Sequence, residues 1–196
     1  KYIDQLSESK IQCEIAPYNQ VSQILFSKPK SRNLFIWTSP DIQIPSYNKL
    51  LFFEDINIKI IMKEVKEFAS LINQSAQNYE SIFMLSWAFP PEKTWPLTLS
   101  TKACTGASDV LARMNILLTE LLVDCPNFYL IDHSILQAKF PGVLHDPRLY
   151  ALGRIRYSLE YQKYVASNLI PIFQSTIESS RKLIICDLDN TLWGGI

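Results

Sequence analysis

The chain has 196 residues, of which 47% are hydrophobic, and its 19 basic and 19 acidic residues cancel to a net charge of zero. This composition is typical of a globular protein with one core, and the even charge balance disfavours a nucleic-acid partner, whose phosphates call for a positive surplus. The apolar runs are too short to span a bilayer, so we expect no membrane segment.

Strands and helices are predicted to alternate along the chain. Short apolar runs predict strands, and apolar residues at three- and four-residue spacing predict helices between them. The predicted strands cover residues 11–16, 33–38, 81–88, 127–132 and 182–187, and the predicted helices cover residues 57–75, 106–124 and 158–175. Continuous apolar strands joined by amphipathic helices are typical of a parallel sheet covered on both faces. We therefore expect a three-layer, doubly wound, flavodoxin-like α/β domain over residues 1–178.

Both ends of this pattern raise an expectation about domain organisation. Residues 1–9 have a helical pattern and lead directly into a strand, which is how such a fold looks when its first strand is absent. Residues 182–187 form a strand that no helix follows. We therefore expect the first domain to lack its first strand, and a second domain to begin at residue 179.

The cysteines are far apart and have no metal-binding spacing. Cys13, Cys104, Cys125 and Cys186 include no CxxC pair and no Cys/His cluster. We interpret them as reduced, buried thiols of a cytoplasmic protein.

Two carboxylates and a hydroxyl follow the last predicted strand. Asp187, Asp189 and Thr191 lie in the stretch DLDNT, directly after four apolar residues. A carboxylate in this position can bind Mg²⁺ or attack phosphorus, and a second one can protonate the leaving oxygen and then activate water. Asp also commonly turns a chain after a buried strand, so a purely structural role stays open. The residues themselves favour phosphate chemistry with Mg²⁺.

This stretch resembles the first motif of the haloacid-dehalogenase (HAD) superfamily of phosphatases and phosphotransferases. Its continuation, DLDNTLWGG, is similar to the FkbH-like subfamily, in which a Rossmann-like HAD domain follows an amino-terminal domain related to SGNH hydrolases. Residues 145–150 and 156–158 resemble the end of that domain. The resemblance thus implies an SGNH-hydrolase-like domain over residues 1–178 and the first HAD motif within residues 179–196.

The resemblance also implies an activity. Asp187 would be the metal-bound nucleophile, Asp189 a second metal ligand and the acid/base, and Thr191 a residue that binds the substrate, with Mg²⁺ as cofactor. Members of the subfamily transfer an acyl unit from a phosphorylated three-carbon donor to an acyl carrier protein with loss of phosphate, in polyketide or surface-glycan pathways. The later HAD motifs are not in this sequence, so we expect the 196-residue chain alone to be inactive.

Two other functions stay open for the amino-terminal domain. It could be a non-catalytic module that binds a carrier protein or its acyl group, or an SGNH-type esterase or acyltransferase. The second needs a Ser nucleophile, oxyanion donors and a catalytic His. However, Phe89-Pro90-Pro91 stands where Gly-x-Asn is expected, residues 153–158 contain no His, and the only Gly-x-Ser, at 106–108, is expected to begin a helix.

The remaining candidates are imidazoles and tryptophans near predicted strand ends. His133 and His145 could face a site, although polar loop residues with local hydrogen bonds are commoner. Trp87 and Trp95 could line an acyl site, although large aromatic residues near a strand end more often belong to the core.

Three arginines follow the same loops. Arg148, Arg154 and Arg156 could bind a phosphate or an acidic partner, whereas surface ion pairs are the commoner role.

Overall fold

The structure is a computed structural model that describes residues 20–26 and 31–177. Residues 20–26 and 31–161 belong to one compact unit, and residues 162–177 belong to another. The predicted strands at 11–16 and 182–187 lie outside the described residues, and so does the segment after the predicted domain boundary at 178. That boundary stays a prediction.

A parallel sheet of three strands forms the centre of the first unit, in the order β1-β2-β3. The strands are β1 (Asn33–Ile36), β2 (Ser81–Leu85) and β3 (Phe128–Ile131). Leu34 pairs with Ile82, and Ile82 pairs with Phe128. Every residue of β2 is buried, as expected for a central strand covered on both faces. The predictions of parallel strands at 33–38, 81–88 and 127–132 are confirmed.

Nine helices lie along the described part of the chain. Their bounds are α1 (Val21–Phe26), α2 (Pro40–Gln43), α3 (Pro45–Leu51), α4 (Ile58–Ala76), α5 (Leu97–Ser100), α6 (Ala107–Leu121), α7 (His133–Lys139), α8 (Pro147–Gly153) and α9 (Leu159–Ile177).

Helix α4 shows how the sequence determines a core element. The Asn57 side chain accepts a hydrogen bond from the Lys59 backbone N–H, which caps the first turn. The apolar residues at helical spacing then face the core, where burial of each contributes about 1.5–3 kcal/mol. Those with at most 3% exposure are Ile61, Val65, Phe68, Ala69 and Ile72. A charged residue at Val65 would place an unpaired charge in this core and break the packing.

Helix α6 begins at the predicted Gly-x-Ser stretch. Gly106 is its N-cap. A Cβ on Gly106 would lie 2.3 Å from the Ser100 carbonyl oxygen and 2.4 Å from that of Leu99, so the preceding turn leaves no room for a side chain. The expectation that this stretch starts a helix is confirmed.

Helix α9 begins directly after a capping serine. The Ser158 hydroxyl accepts a hydrogen bond from the Tyr161 N–H at 3.2 Å. This bond satisfies one of the free donors of the first turn. The helix predicted over residues 158–175 is therefore confirmed, with Ser158 as its cap.

The main core lies on one face of the sheet. Ile36, Ile82 and Met84 share a buried cluster with residues of α1, α3, α4 and α6. On the opposite face Phe83 is 1% exposed and stacks on Tyr129 at 5.1 Å. The alternation follows from the two-residue period of a strand.

The two described cysteines differ in exposure. Cys125 is buried and Cys104 is exposed, and both are free thiols. The prediction of buried cysteines is therefore wrong for Cys104, which lies in the turn between α5 and α6. Its backbone has a φ of 62°, a left-handed conformation found mostly in turns.

Candidate functional site

The sequence-predicted catalytic residues are not in the described part of the chain. Asp187, Asp189 and Thr191 lie beyond residue 177. Their assignment as catalytic, metal-binding and substrate-binding residues stays a prediction. The structure instead describes the carboxyl edge of the sheet, where loops follow all three described strands and where ligands bind in open α/β folds.

A buried ion triad joins three segments of the chain at this edge. Arg156, just before α9, places Nη2 2.6 Å from Asp41 Oδ2 and Nη1 2.7 Å from Glu92 Oε1. Asp41 follows β1 and Glu92 follows β2. The three side chains are only 13%, 6% and 6% exposed, respectively. The triad therefore fixes the loops after two neighbouring strands to the segment before the last helix.

The triad keeps Arg156 charged. Burial by itself would lower the pKa of Arg156, but its hydrogen bond to Asp41 and the charges of Asp41 and Glu92 outweigh this effect and raise the pKa above its ordinary value. One guanidinium between two carboxylates leaves a formal charge of minus one. An external anion would thus meet a guanidinium that already binds two carboxylates.

Two buried phenols lie near the same charges. Burial raises the pKa of Tyr157, and Glu92 and Asp41 raise it further, against the opposing effect of Arg156. Burial, followed by the charge of Asp41, likewise raises the pKa of Tyr47. Both hydroxyls are therefore protonated at neutral pH.

His133 lies in an aromatic cluster beside the triad. Its ring centroid is 5.8 Å from that of Trp37, 5.5 Å from that of Tyr157 and 5.9 Å from that of Tyr161. The residue is 2% exposed, and its Nε2 has no hydrogen-bond partner. Burial lowers the pKa of His133 to about 4, against the weaker opposing effects of the Ser86 backbone and of Asp132. The imidazole is therefore neutral at physiological pH, and its interpretation as a polar loop residue is wrong.

His145 has the local role that the sequence favours. Its Nδ1 lies 2.7 Å from the Arg156 carbonyl oxygen. A hydrolytic triad needs an imidazole that is hydrogen-bonded to its nucleophile. Within residues 20–26 and 31–177, neither His133 nor His145 bonds to a hydroxyl or thiol through its ring. Among these residues, therefore, no imidazole is paired with a nucleophile.

The tryptophans belong to the packing of the fold. Trp87 is 2% exposed, and the Asn115 side chain binds both its backbone N–H, at 2.9 Å, and its carbonyl, at 2.8 Å. Trp95 is partly buried against the core and stacks on Phe53 at 4.5 Å. The core interpretation is confirmed for Trp87, and Trp95 packs at the margin of the core.

Sequence reasoning found only part of this edge. It identified Arg156 but expected a surface ion pair, and it did not single out Asp41, Glu92 or Tyr157. The available signal was position: Asp41, in the short helix α2, and Glu92, in a Pro-containing loop, each follow a strand at the edge where site residues concentrate. Their common partner lies 115 residues beyond Asp41, a distance that no local pattern bridges.

Residues 20–26 and 31–177 contain neither a metal-binding cluster nor a membrane-spanning helix. Among them, no group of three or more His, Cys, Asp or Glu side chains could hold a metal ion. No helix in this part of the chain is long and apolar enough to cross a membrane.

The described unit thus has the fold of a parallel α/β protein, with a buried ion triad at the carboxyl edge of its sheet. A similar solved structure is the crystal structure of the N-terminal part of the protein BF1531 from Bacteroides fragilis, containing a phosphatase domain complexed with Mg. The TM-score is 0.73 at 21% identity, over 100% of this chain and 53% of that one. The chain therefore shares its fold with that protein and spans about half of its length. No family model and no curated protein matches the sequence.

Proposed function

We propose that this chain is the amino-terminal part of a Mg²⁺-dependent phosphatase or phosphotransferase of the HAD type. One observation carries the proposal: the fold match covers 100% of the chain, and the matched protein contains a phosphatase domain complexed with Mg. The DxDxT stretch at 187–191 supports the same chemistry independently. Residues 1–178 would form the SGNH-like domain, and residues 179–196 would begin the catalytic domain.

The proposed mechanism assigns one role to each residue of the motif. The Asp187 carboxylate attacks phosphorus and forms an aspartyl phosphate as the leaving oxygen departs. Asp189 protonates that oxygen and then takes a proton from the water that hydrolyses the aspartyl phosphate. Thr191 binds the phosphate. Asp187 and Asp189 would hold Mg²⁺, which neutralises phosphate charge when bound.

The substrate and partner follow from the subfamily resemblance. We propose a phosphorylated three-carbon acyl donor, and an acyl carrier protein that receives the acyl unit as phosphate is lost. We further propose a cytoplasmic location, which the free thiols of Cys104 and Cys125 support.

The described edge favours one role for the amino-terminal domain over the other. A buried triad around Arg156 lies at the carboxyl edge of the sheet, where ligands bind in such folds. The nearby His133 is neutral, and its ring is not hydrogen-bonded to a hydroxyl or thiol nucleophile of the described residues. We therefore propose a non-catalytic platform rather than an SGNH esterase or acyltransferase.

The experiment is Mg²⁺-dependent phosphate release by the whole natural protein that contains this chain. Asp187→Asn and Asp189→Asn should each lower kcat strongly, Asp187→Asn by more than about a thousandfold. The exposed Asp124→Asn is the matched control and should retain full activity. Chelation of Mg²⁺ should abolish turnover, and the 196-residue chain by itself should release no phosphate. Activity of Asp187→Asn within about tenfold of wild type would refute the proposal.

A further inference from the structure

A compact loop of the first unit lies just before α9. This tip loop, residues 143–158, is closed by two hydrogen bonds between its ends. The Ser158 N–H donates to the Leu144 carbonyl at 2.8 Å, and the Ser158 hydroxyl donates to the Val143 carbonyl at 2.7 Å. Compact surface loops whose ends meet are often functional.

The tip loop is rigid within itself and anchored to the domain. The Asp146 carboxylate caps α8 by accepting from the Arg148 N–H at 2.8 Å. At the other end, Arg154 closes α8 in a left-handed conformation, with its guanidinium 5.2 Å from the Tyr150 ring. Arg156 anchors the loop through its ion pairs with the domain. A loop held in this way presents its outer side chains without a large ordering cost.

The tip loop exposes three large apolar side chains. Helix α8 has no buried residue, and Leu152 is 87% exposed. Val143 is 70% exposed and Ile155 is 43% exposed. Apolar side chains grouped on an exposed element mark an interaction surface more often than scattered single ones do.

The exposed charge of the tip loop is positive. Arg148 and Arg154 are exposed, and neither pairs with a carboxylate among residues 20–26 and 31–177. The only acid of the loop, Asp146, is engaged in the cap of α8. A chain of zero net charge thus carries two positive charges without a carboxylate partner on and beside α8. Such a surface is complementary to an acidic one.

We propose that the tip loop docks a small acidic protein domain, with Leu152 in an apolar contact and Arg148 and Arg154 paired to carboxylates. A protein fits better than a small anion because small ligands bind in concave sites, whereas α8 has no buried residue. Under the proposed function, on which this inference rests, the acidic domain is the acyl carrier protein.

The test measures the affinity of the whole natural protein for a holo acyl carrier protein by isothermal titration calorimetry. Leu152→Asp, and the pair Arg148→Glu with Arg154→Glu, should each weaken binding at least about tenfold. The matched controls are Leu97→Asp, at a leucine that is 90% exposed elsewhere, and Arg32→Glu, at an arginine whose side chain is 82% exposed. Both controls should bind within about twofold of wild type. Higher salt should weaken wild-type binding and have less effect on the double charge variant.

Phosphate release without carrier protein, measured on the same proteins, separates the two proposals. The docking inference predicts that both tip-loop variants release phosphate as wild type does but transfer less acyl unit to the carrier. It is overturned if wild type releases phosphate without binding the carrier, or if the tip-loop variants bind like wild type. It is also overturned if Leu152→Asp leaves carrier binding unchanged and alters only the self-association of the protein, as measured by analytical ultracentrifugation. Absence of phosphate release by wild type counts against the proposed function instead.

Discussion

The Arg156 triad makes a quantitative prediction about stability. Arg156→Met keeps much of the volume of the side chain but leaves Asp41 and Glu92, each 6% exposed, without their cation. Removal of one partner of a buried ion pair typically costs about 3–5 kcal/mol, because the remaining charge is stranded away from water. At about 2–4 °C per kcal/mol for a chain of this size, the melting temperature should fall by roughly 6–20 °C. Differential scanning calorimetry at pH 7 measures the change.

Two further variants test the cause of that loss. Arg113→Met removes an exposed ion pair, since Arg113 and Asp109 are 47% and 21% exposed, and should lower the melting temperature far less. Asp41→Asn with Glu92→Gln, added to Arg156→Met, removes the stranded charges and should recover part of the stability. The reasoning fails if Arg156→Met melts within the experimental error of Arg113→Met.

Three shorter predictions concern other parts of the fold. Because burial lowers the pKa of His133 to about 4 from its ordinary value near 6.5, the unfolded chain takes up this proton first as the pH falls. The free energy of unfolding of wild type should thus decrease between about pH 6.5 and pH 4, by on the order of 3 kcal/mol more than that of His133→Phe. Urea titrations at a series of pH values measure this free energy. Equal decreases for the two proteins over this pH range would contradict the prediction. Gly106→Ala should lower the free energy of unfolding by more than about 2 kcal/mol, because the added Cβ meets backbone oxygens. Gly153→Ala should be nearly neutral in the same titrations, because its Cβ meets only a flexible side chain, at 3.5 Å. Iodoacetamide should label the exposed Cys104 in the native protein and Cys125 only after unfolding, as peptide mass spectrometry can show.

Local patterns predicted the elements that bury a periodic face. Helix α4 is predictable because its apolar residues recur every three or four positions after a capping Asn57. Strand β2 is predictable because a run buried on both faces must be apolar throughout. Short helices such as α2 and α8, with four and seven residues, gave no such period, although a Pro stands at the start of each.

The carboxyl edge was less predictable because its contacts are made between distant segments. Arg156 meets an acid 115 residues away, so its burial depends on how three loops converge and not on its neighbours in sequence. His133 follows an aspartate and has the pattern of an exposed strand end, yet the position of Trp37 after β1 and of Tyr161 in α9 encloses its ring. The chemistry proposed for Asp187 and Asp189, in contrast, rests on a pattern of a few consecutive residues.

The most direct test of the proposed function is the identification of the nucleophile. The whole natural protein is mixed with its phosphorylated substrate and Mg²⁺, quenched in acid and treated with borohydride, which reduces an aspartyl phosphate to homoserine. Peptide mass spectrometry should find homoserine at position 187 in wild type and none in a sample prepared without substrate. Phosphate release that leaves Asp187 unmodified, with homoserine at another position, would contradict the central claim.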